Sequence, residues 1–594
     1  MKKFSKLALL LMALMMLVLV MAACRNEADA PAQVVDDTPA AADEADDEPA
    51  FVADEVAADE VDITPEGEMP AEGPDTNNGR PFNLVPIAWD GRDTGRFLHG
   101  INATVLPIAQ EPVEVEFWRG FGSTIMTSLN ESEVFQEMGR RTNVHINWFH
   151  YPSGQAADTF ALRIAADDLP HVFIHPPGFP GGNMQAIEQG VYLELTPFYN
   201  DGWMPNFHWL RTGHPDAEEI RVGSTDDFGR IVNFPMIDIV PSHPWQGLWI
   251  RQDWLDRFDF AAPETIDEWD HILRTWADYR GSWVLQHYVG GTGTCSSFVG
   301  SFGSRRYWVN MDGVVAYGPT LPGYREYLQL IHTWYVDGIL DPDFATRTAG
   351  ADRYASVAAG EALAFHMAYG GIGQQLLTGR THTPEMALTP LPNPAPAPGV
   401  PVRISSQNNS IVRGDRSWVT DRGLHDGMIE YIIRLMDYFY SQDGGDLLSY
   451  GIPGHASVWN ADGEIEWIHP LLDTPDADFW TVVYGIKMRP FPFLRDSTAY
   501  EMVPEVWECI RVWGAADNSW IFPGDLITLT PAEAEENASI MVDINSHRNE
   551  QTMAFITGAR SIDEFDAFVA ELESMNIARS TEIHQAALDR LMRR

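Results

Sequence analysis

VEVEFWRGFG, residues 113–122, alternates apolar and acidic side chains from Val113 to Phe117 and then breaks into a glycine-bearing turn. Alternation with a period of two is the mark of a half-buried strand, and the glycines after it mark a turn that a ligand can approach. Two further stretches repeat the grammar. SEVFQEMGRRTNVHINWFHY, residues 132–151, reads as a helix ending near Gly139 followed by a strand from Val144 to Phe149. TFALRIAADDLPHVFIHPPGFPGG, residues 159–182, reads as helix, turn, strand and loop. Strands alternating with helices predict an α/β fold built on a parallel sheet. In open sheets of this kind ligands sit in the crevice beyond the carboxyl ends of the strands, so the loops 118–121 and 176–182 are the first candidates for a site.

Outward from this region, the amino terminus has a different character. Lys2, Lys3 and Lys6 precede an apolar run from Leu7 to Ala23, and the small pair Ala22 and Ala23 stands directly before Cys24. That order reads as a signal peptide, residues 1–23, with an uncleaved transmembrane anchor as the alternative, and with Met21 at the third position before the cysteine it resembles the bacterial lipobox, which implies that Cys24 is acylated. Two or more acyl chains hold a protein at a membrane durably, each buried CH₂ contributing about 0.8 kcal/mol. From Arg25 to Arg80 there are eighteen acidic and two basic residues, and Phe51 is the single aromatic. Such a segment cannot bury enough apolar surface to offset its ordering entropy, so residues 24–80 are expected to form a disordered acidic tether with a reach of roughly 40 Å. The rest of the chain is therefore expected outside the cell, lipid-anchored at the outer face of the membrane.

The 514 residues that follow exceed what one hydrophobic core usually serves, and two or three lobes are expected. They carry 67 acidic and 34 basic residues, a net charge of −33, which repels a polyanion and argues against a nucleic-acid partner. Lys487 is the only lysine beyond the signal peptide. No glycine-rich loop ending in Lys-Ser or Lys-Thr is present to cradle a nucleotide, and there is no Gly-x-Ser-x-Gly elbow and no His-Glu-x-x-His. His145 and His150 stand five apart without a zinc pattern, Asp341 and Asp343 flank Pro342 without the array of a calcium loop, and Arg413-Gly414-Asp415 is a triplet that recurs by chance. No cofactor or metal is expected. Cys295 and Cys509 either pair or stay as separate buried thiols.

Further signals punctuate the second half. Thr265 and Glu268 have the spacing of a capping box, Asp312-Gly313 reads as a hairpin turn, and a helix is predicted near Tyr324 to Val336, closed by Gly338 and Pro342. Taken together, WIRQDWLDRF with PETIDEW (249–258 and 263–269), DGVVAYGPTLPGYREYLQLIHTWYVDGILDPDFAT (312–346), YGIPGHASVWNADGEIEW (450–467) and FITGARSIDEFDAFVAELESMNIARSTEIHQAALDR (555–590) resemble the lipid-anchored extracellular solute-binding proteins of carbohydrate-uptake ABC transporters. The resemblance runs from about Val113 to Arg590. His171 departs from the family's usual Asp after Leu-Pro, and Pro453 replaces its common Glu. The resemblance implies a two-lobe periplasmic-binding-protein-like fold, with a ligand cleft between α/β lobes joined by hinge strands. One lobe is expected from 113–236 and 403–470, the other from 237–402 and 471–594. It also implies an oligosaccharide ligand, ABC permease subunits as partners, contact with the membrane through the lipid anchor only, action as a monomer and no enzymatic activity.

A sugar presents apolar C–H faces and a rim of hydroxyls, so a receptor needs flat aromatic surfaces and planar hydrogen-bonding groups. Twenty Trp and eighteen Tyr supply material, and position selects among them. Trp118 and Arg119 follow the first predicted strand, and Pro177 and Phe179 follow the third. Asp238 and Trp245 lie between IVNFPM and LWIRQDW, where the family's lobes cross, and Tyr369 sits in AFHMAYGG where the family offers a ligand-facing aromatic. Phe302 in GSFGSRRYW is a further candidate. A secreted glycoside hydrolase with paired carboxylates is the alternative of another class, because aromatics and acids suit it equally in composition. The four motifs favour the receptor, and a surface adhesin lacks the repeats it would need.

Overall fold

A computed structural model describes residues 100–121, 126–152, 155–238, 246–287, 297–347, 355–405, 410–460, 465–468, 491–495 and 504–594. Cys24, the acidic tether, Trp245, Cys295 and Lys487 lie outside the described residues. The strands run in chain order as β1 (Val113–Gly120), β2 (Val144–Tyr151), β3 (Val172–Ile174), β4 (Phe234–Asp238), β5 (Gln246–Arg251), β6 (Leu285–Gln286) and β7 (Trp308–Met311). They continue as β8 (Val314–Tyr317), β9 (Ala364–Ala368), β10 (Leu388–Leu391), β11 (Val412–Val419), β12 (Ser457–Trp459), β13 (Ile465–Trp467) and β14 (Leu494–Arg495).

The predicted alternation of strand and helix is present where the periodicity placed it. The helix Glu133–Thr142 turns its apolar stripe of Val134, Phe135 and Met138 onto the core and stops at Asn143, whose φ of 55° closes the last turn with a bond to Gly139 O. One residue later β2 begins, pairing in parallel with β1 from Val113↔Val144 to Gly120↔Tyr151. Six strands form the first sheet in the order β14-β4-β11-β3-β1-β2. It is mixed rather than wholly parallel: β1, β2 and β3 run together, while β11 runs against both β3 and β4. The reason is connectivity, because β11 returns from elsewhere and enters the sheet at the edge that β4 leaves, with Val412 opposite Ile237.

The second sheet has the order β10-β5-β9-β6, antiparallel except between β6 and β9. Each sheet has its own core. Phe117, Val172, Phe234, Ile237, Ile432 and Phe493 belong to one, and Leu248, Ile250, Trp269, Trp276, Leu328 and Trp334 to the other. Residues 491–495, expected with the second lobe, run instead at the edge of the first sheet, where β14 pairs in parallel with β4 and Phe491 and Phe493 are buried in the first core. A two-residue strand between segments outside the described residues carries too short a pattern to reveal its partner in the sequence.

The local signals of the second half stand where expected. Thr265 Oγ1 accepts from Glu268 N at 3.3 Å and Glu268 Oε2 accepts from Thr265 N at 2.9 Å, opening the helix Ile266–Arg280. Asp312 and Gly313, with φ of 54° and 95°, make the two-residue turn joining β7 to β8. Cys509 is buried beside Trp249 and Trp513. Among the described residues no helix is long and apolar enough to cross a membrane.

Candidate functional site

Connectivity decides which edges of the two sheets meet. β4 ends at Asp238 and β5 begins at Gln246, so the seven intervening residues bring these ends within roughly 28 Å of each other. The chain returns from β10, which ends at Leu391, to β11, which begins at Val412 beside Ile237. Both crossings leave the first sheet through the edge where β1, β3 and β4 end. They enter the second where β5 begins and where β6, β9 and β10 end, since Gln246 pairs with Ala368, Gln286 with Phe365 and Leu391 with Leu248.

On the first sheet this edge carries a polar group. Arg119, the penultimate residue of β1, is 7% exposed and donates from Nε to Gly120 O at 3.1 Å. Burial pulls its guanidinium down to about 10, against the opposing pull of Tyr151 and Asp415. Asp415 of β11 has Oδ1 at 3.8 Å from His175 Nδ1. His175 is the first residue beyond β3 and has a φ of 47°, a left-handed conformation that a side chain larger than glycine adopts at a cost. Its amide donates to Arg416 O at 2.9 Å, which fixes the turn. Arg119, Tyr151, His175 and Asp415 thus converge at one corner, offering planar donors and acceptors of the kind that hydroxyl groups pair with. Pro177 and Phe179 lie half-buried in the loop beyond His175, with the Phe179 ring edge-on to Tyr192 at 5.9 Å.

Trp118 does not join them. Successive side chains of a strand point to opposite faces, and Trp118 faces a buried aromatic cluster, 1% exposed, with Tyr151 at 4.3 Å, Phe173 at 5.2 Å and Phe160 at 6.0 Å between ring centroids. Its ring presents no face to a ligand. Asp238, expected in a crossing loop, is the last residue of β4; it is wholly buried, and its amide donates to Ile411 O at 2.8 Å.

On the second sheet, Tyr369 begins the turn directly after β9 and is half-buried against the cluster that contains Trp249, Met367 and Trp513. Around it the strand ends are unusually polar for a buried edge. Gln246, Gln286, His287 and Asn393 are each less than 9% exposed; Gln286 Nε2 donates to Ser356 Oγ at 2.8 Å, and His287 Nε2 lies 2.9 Å from the Tyr327 hydroxyl. Trp513 is buried across Gly247, where a Cβ would stand 2.3 Å from the indole, and its Nε1 donates to Leu391 O at 3.1 Å. Glycine is required there by the close approach of the ring. Phe302 is half-buried against the second core, its carbonyl so near Gly323 that a Cβ would stand 1.9 Å away. That contact ties Phe302 to the start of the helix Pro322–Val336.

Sequence reasoning missed His175, Asp415 and Tyr151. The first two had a signal: His175 directly follows an apolar strand, and Asp415 stands in a charged run, VRGDR, inside what becomes a strand of the first sheet. Two buried or half-buried histidines have structural partners. His150 Nε2 accepts from Leu129 N at 3.1 Å while its Nδ1 donates to Arg119 O at 3.3 Å, which sets a neutral tautomer, in keeping with the downward push of burial. His171, the departure from the family pattern, accepts from Glu116 N at 2.8 Å and donates to Asp426 Oδ2 at 3.2 Å. Among the described residues no three His, Cys, Asp or Glu side chains gather as a metal site would require.

No family model matches the sequence. The fructooligosaccharide ABC transporter substrate-binding protein FusA of Streptococcus pneumoniae serotype 4 (strain ATCC BAA-334 / TIGR4) is 25% identical over 233 residues, 36% of this chain. The matched stretch spans 42% of that relative's length. The solved structure of S. pneumoniae FusA in complex with kestose superposes with a TM-score of 0.66 at 18% identity, over 81% of this chain and 99% of that one. A human-milk-oligosaccharide (HMO) binding, ABC-transporter-associated solute-binding protein from Bifidobacterium longum infantis gives 0.66 at 16% identity, over 81% and 99%. The fold is that of the extracellular solute-binding proteins. It is a two-lobe α/β fold.

Proposed function

We propose that this chain is the substrate-binding receptor of an oligosaccharide ABC transporter, holding a sugar between its lobes and presenting it to a membrane permease without chemistry of its own. The observation that carries this reading is the sequence similarity to FusA, joined to a fold shared over nearly the whole length of sugar-binding receptors. The corner formed by Arg119, Tyr151, His175 and Asp415 supports it from one side of the cleft. Tyr369 supports it from the other, where Phe302 also lies on the second core; on the first side Phe179, with Pro177 in the same loop, offers a stacking surface, and Asp238 and Trp245 stand at the two ends of the first crossing in the sequence. A capture protein needs to stay near its permease, and Cys24 with the acidic tether would provide both attachment and reach.

Isothermal calorimetry with kestose and longer fructans, followed by chromatography of the recovered sugar, tests the reading. A sugar bound tightly and recovered uncut after hours is the expected result. Steady release of reducing ends, lost on changing one carboxylate, would replace the receptor with the glycoside hydrolase.

A further inference from the structure

The helix Ile577–Leu591 belongs to the second lobe: Ile577 is buried in that core, and Gln585 Oε1 accepts from Val315 N of β8 at 2.8 Å. Its far end nevertheless fastens to the first lobe. Arg590 donates from Nε to Asp227 Oδ2 at 3.1 Å, while its two terminal nitrogens hold both oxygens of Glu533 at 2.9 and 2.6 Å. Arg594 donates from Nε to the other oxygen of Asp227 at 2.8 Å, and its terminal nitrogens donate to Val222 O at 3.0 Å, Leu526 O at 2.8 Å and Thr528 Oγ1 at 3.2 Å. Arg221 donates in turn to Arg594 O at 3.0 Å. Asp227 lies between the helix Ala217–Gly223 and β4, flanked by Ile220 and Ile231 of the first core, and its carboxylate is wholly buried. Glu533 is the third residue of the helix Pro531–Thr557, whose Met541, Ile544 and Phe555 lie in the second core.

The position of this cluster is set by the segment leading to it. Ser405 N donates to Asn518 Oδ1 at 2.9 Å, the Arg403 guanidinium lies over the Trp520 ring at 5.0 Å, and Arg416 donates to Asp525 O at 2.9 Å. A Cβ on Gly414 would stand 2.9 Å from the Asp525 carboxyl group, so the Asp525 side chain lies against the Gly414 backbone. Residues 518–528 therefore run alongside the returning crossing strand and deliver the cluster to the flank of the hinge. A carboxylate stripped of water and shared by two guanidinium groups is costly to separate, because either partner left alone is a buried unpaired charge.

We propose that Asp227, Arg590 and Arg594 form a permanent pivot beside the crossing strands, a strap that holds the lobes together on that flank while the opposite rim opens and closes. The pivot rests on the two-lobe fold and is independent of which ligand the cleft takes. Hydrogen–deuterium exchange on the full chain, without any ligand, tests it. Asp227→Asn keeps the shape and removes the charge; the amides of 410–416 and 518–528 are expected to exchange about tenfold faster, with the helices 266–280 and 322–336 unchanged. Arg594→Gln, which leaves Arg590 on the carboxylate, is expected to give the same pattern with a smaller factor and serves if the first variant does not fold. Unchanged exchange beside the crossing overturns the pivot. Equal acceleration in the two helices overturns it too, since the cluster would then support overall stability only.

Discussion

At the end of a strand a single residue decides whether a side chain enters the core or the cleft. Trp118 and Arg119 are adjacent, and the structure gives the aromatic core to one and the polar corner with Asp415 to the other. Trp118→Ala is expected to cost about 3–5 kcal/mol of folding stability, read from denaturant unfolding, by opening a cavity between Tyr151, Phe160 and Phe173. Tyr369→Ala should leave unfolding nearly unchanged and weaken sugar binding by about 1–3 kcal/mol in calorimetry. Normal binding by that variant would remove Tyr369 from the site. His287 makes a prediction about pH. Burial pushes its imidazole from the ordinary 6.5 down to about 4, so the unfolded chain binds its proton first. The stability tied to neutral His287 is complete above pH 6.5 and is lost as the pH falls toward 4, up to about 3 kcal/mol. His287→Gln should flatten the fall of the unfolding midpoint between pH 7 and 4, and an equal slope in both proteins would show that the imidazole is not the cause.

Among the elements, helix starts are the most legible in the sequence, because a cap is a contact between residues three apart. The box at Thr265 and Glu268 has a counterpart at Thr530 and Glu533, where Thr530 Oγ1 accepts from Glu533 N at 3.2 Å. Thr265→Ala is expected to cost about 1 kcal/mol, a small fall in the thermal midpoint. Thr530→Ala should cost more, since Glu533 also holds Arg590 and its position depends on the cap. Equal losses would show that the two boxes act alike and that the Arg590 contact adds nothing. Strands were legible where alternation ran long, as in β1 and β2, and illegible where two or three residues sufficed, as in β14.

For the whole molecule, a ligand between lobes touches both only when they close, so it binds the closed form better and shifts the population toward it. Moving from mostly open to mostly closed takes a differential affinity near 10⁴-fold, about 5.5 kcal/mol. Small-angle scattering on a chain lacking residues 1–80 should show the radius of gyration fall when a bound sugar is added. Tight binding with constant scattering would place the site within one lobe. The anchor is tested separately: Cys24→Ser should move the protein from the membrane fraction to the medium or leave an uncleaved precursor, and a lipid-labelled mature form of that variant would dismiss the lipobox reading.

What the sequence determined by itself is whatever depends on near neighbours: the strand–helix alternation from 113 to 182, the capping box at Thr265, the Asp312-Gly313 turn, and motifs enough to point to a two-lobe α/β fold. Each rests on spacing of a few residues, which the chain states outright. The tertiary structure alone decided the rest. It set the antiparallel run of β11, the place of 491–495 in the first sheet, the turning of Trp118 into the core, and the meeting of Arg119, His175 and Asp415 from three separate strands or their ends. Those outcomes depend on which segments cross between lobes and on which face each strand presents, and residues up to hundreds of positions apart settle both through packing.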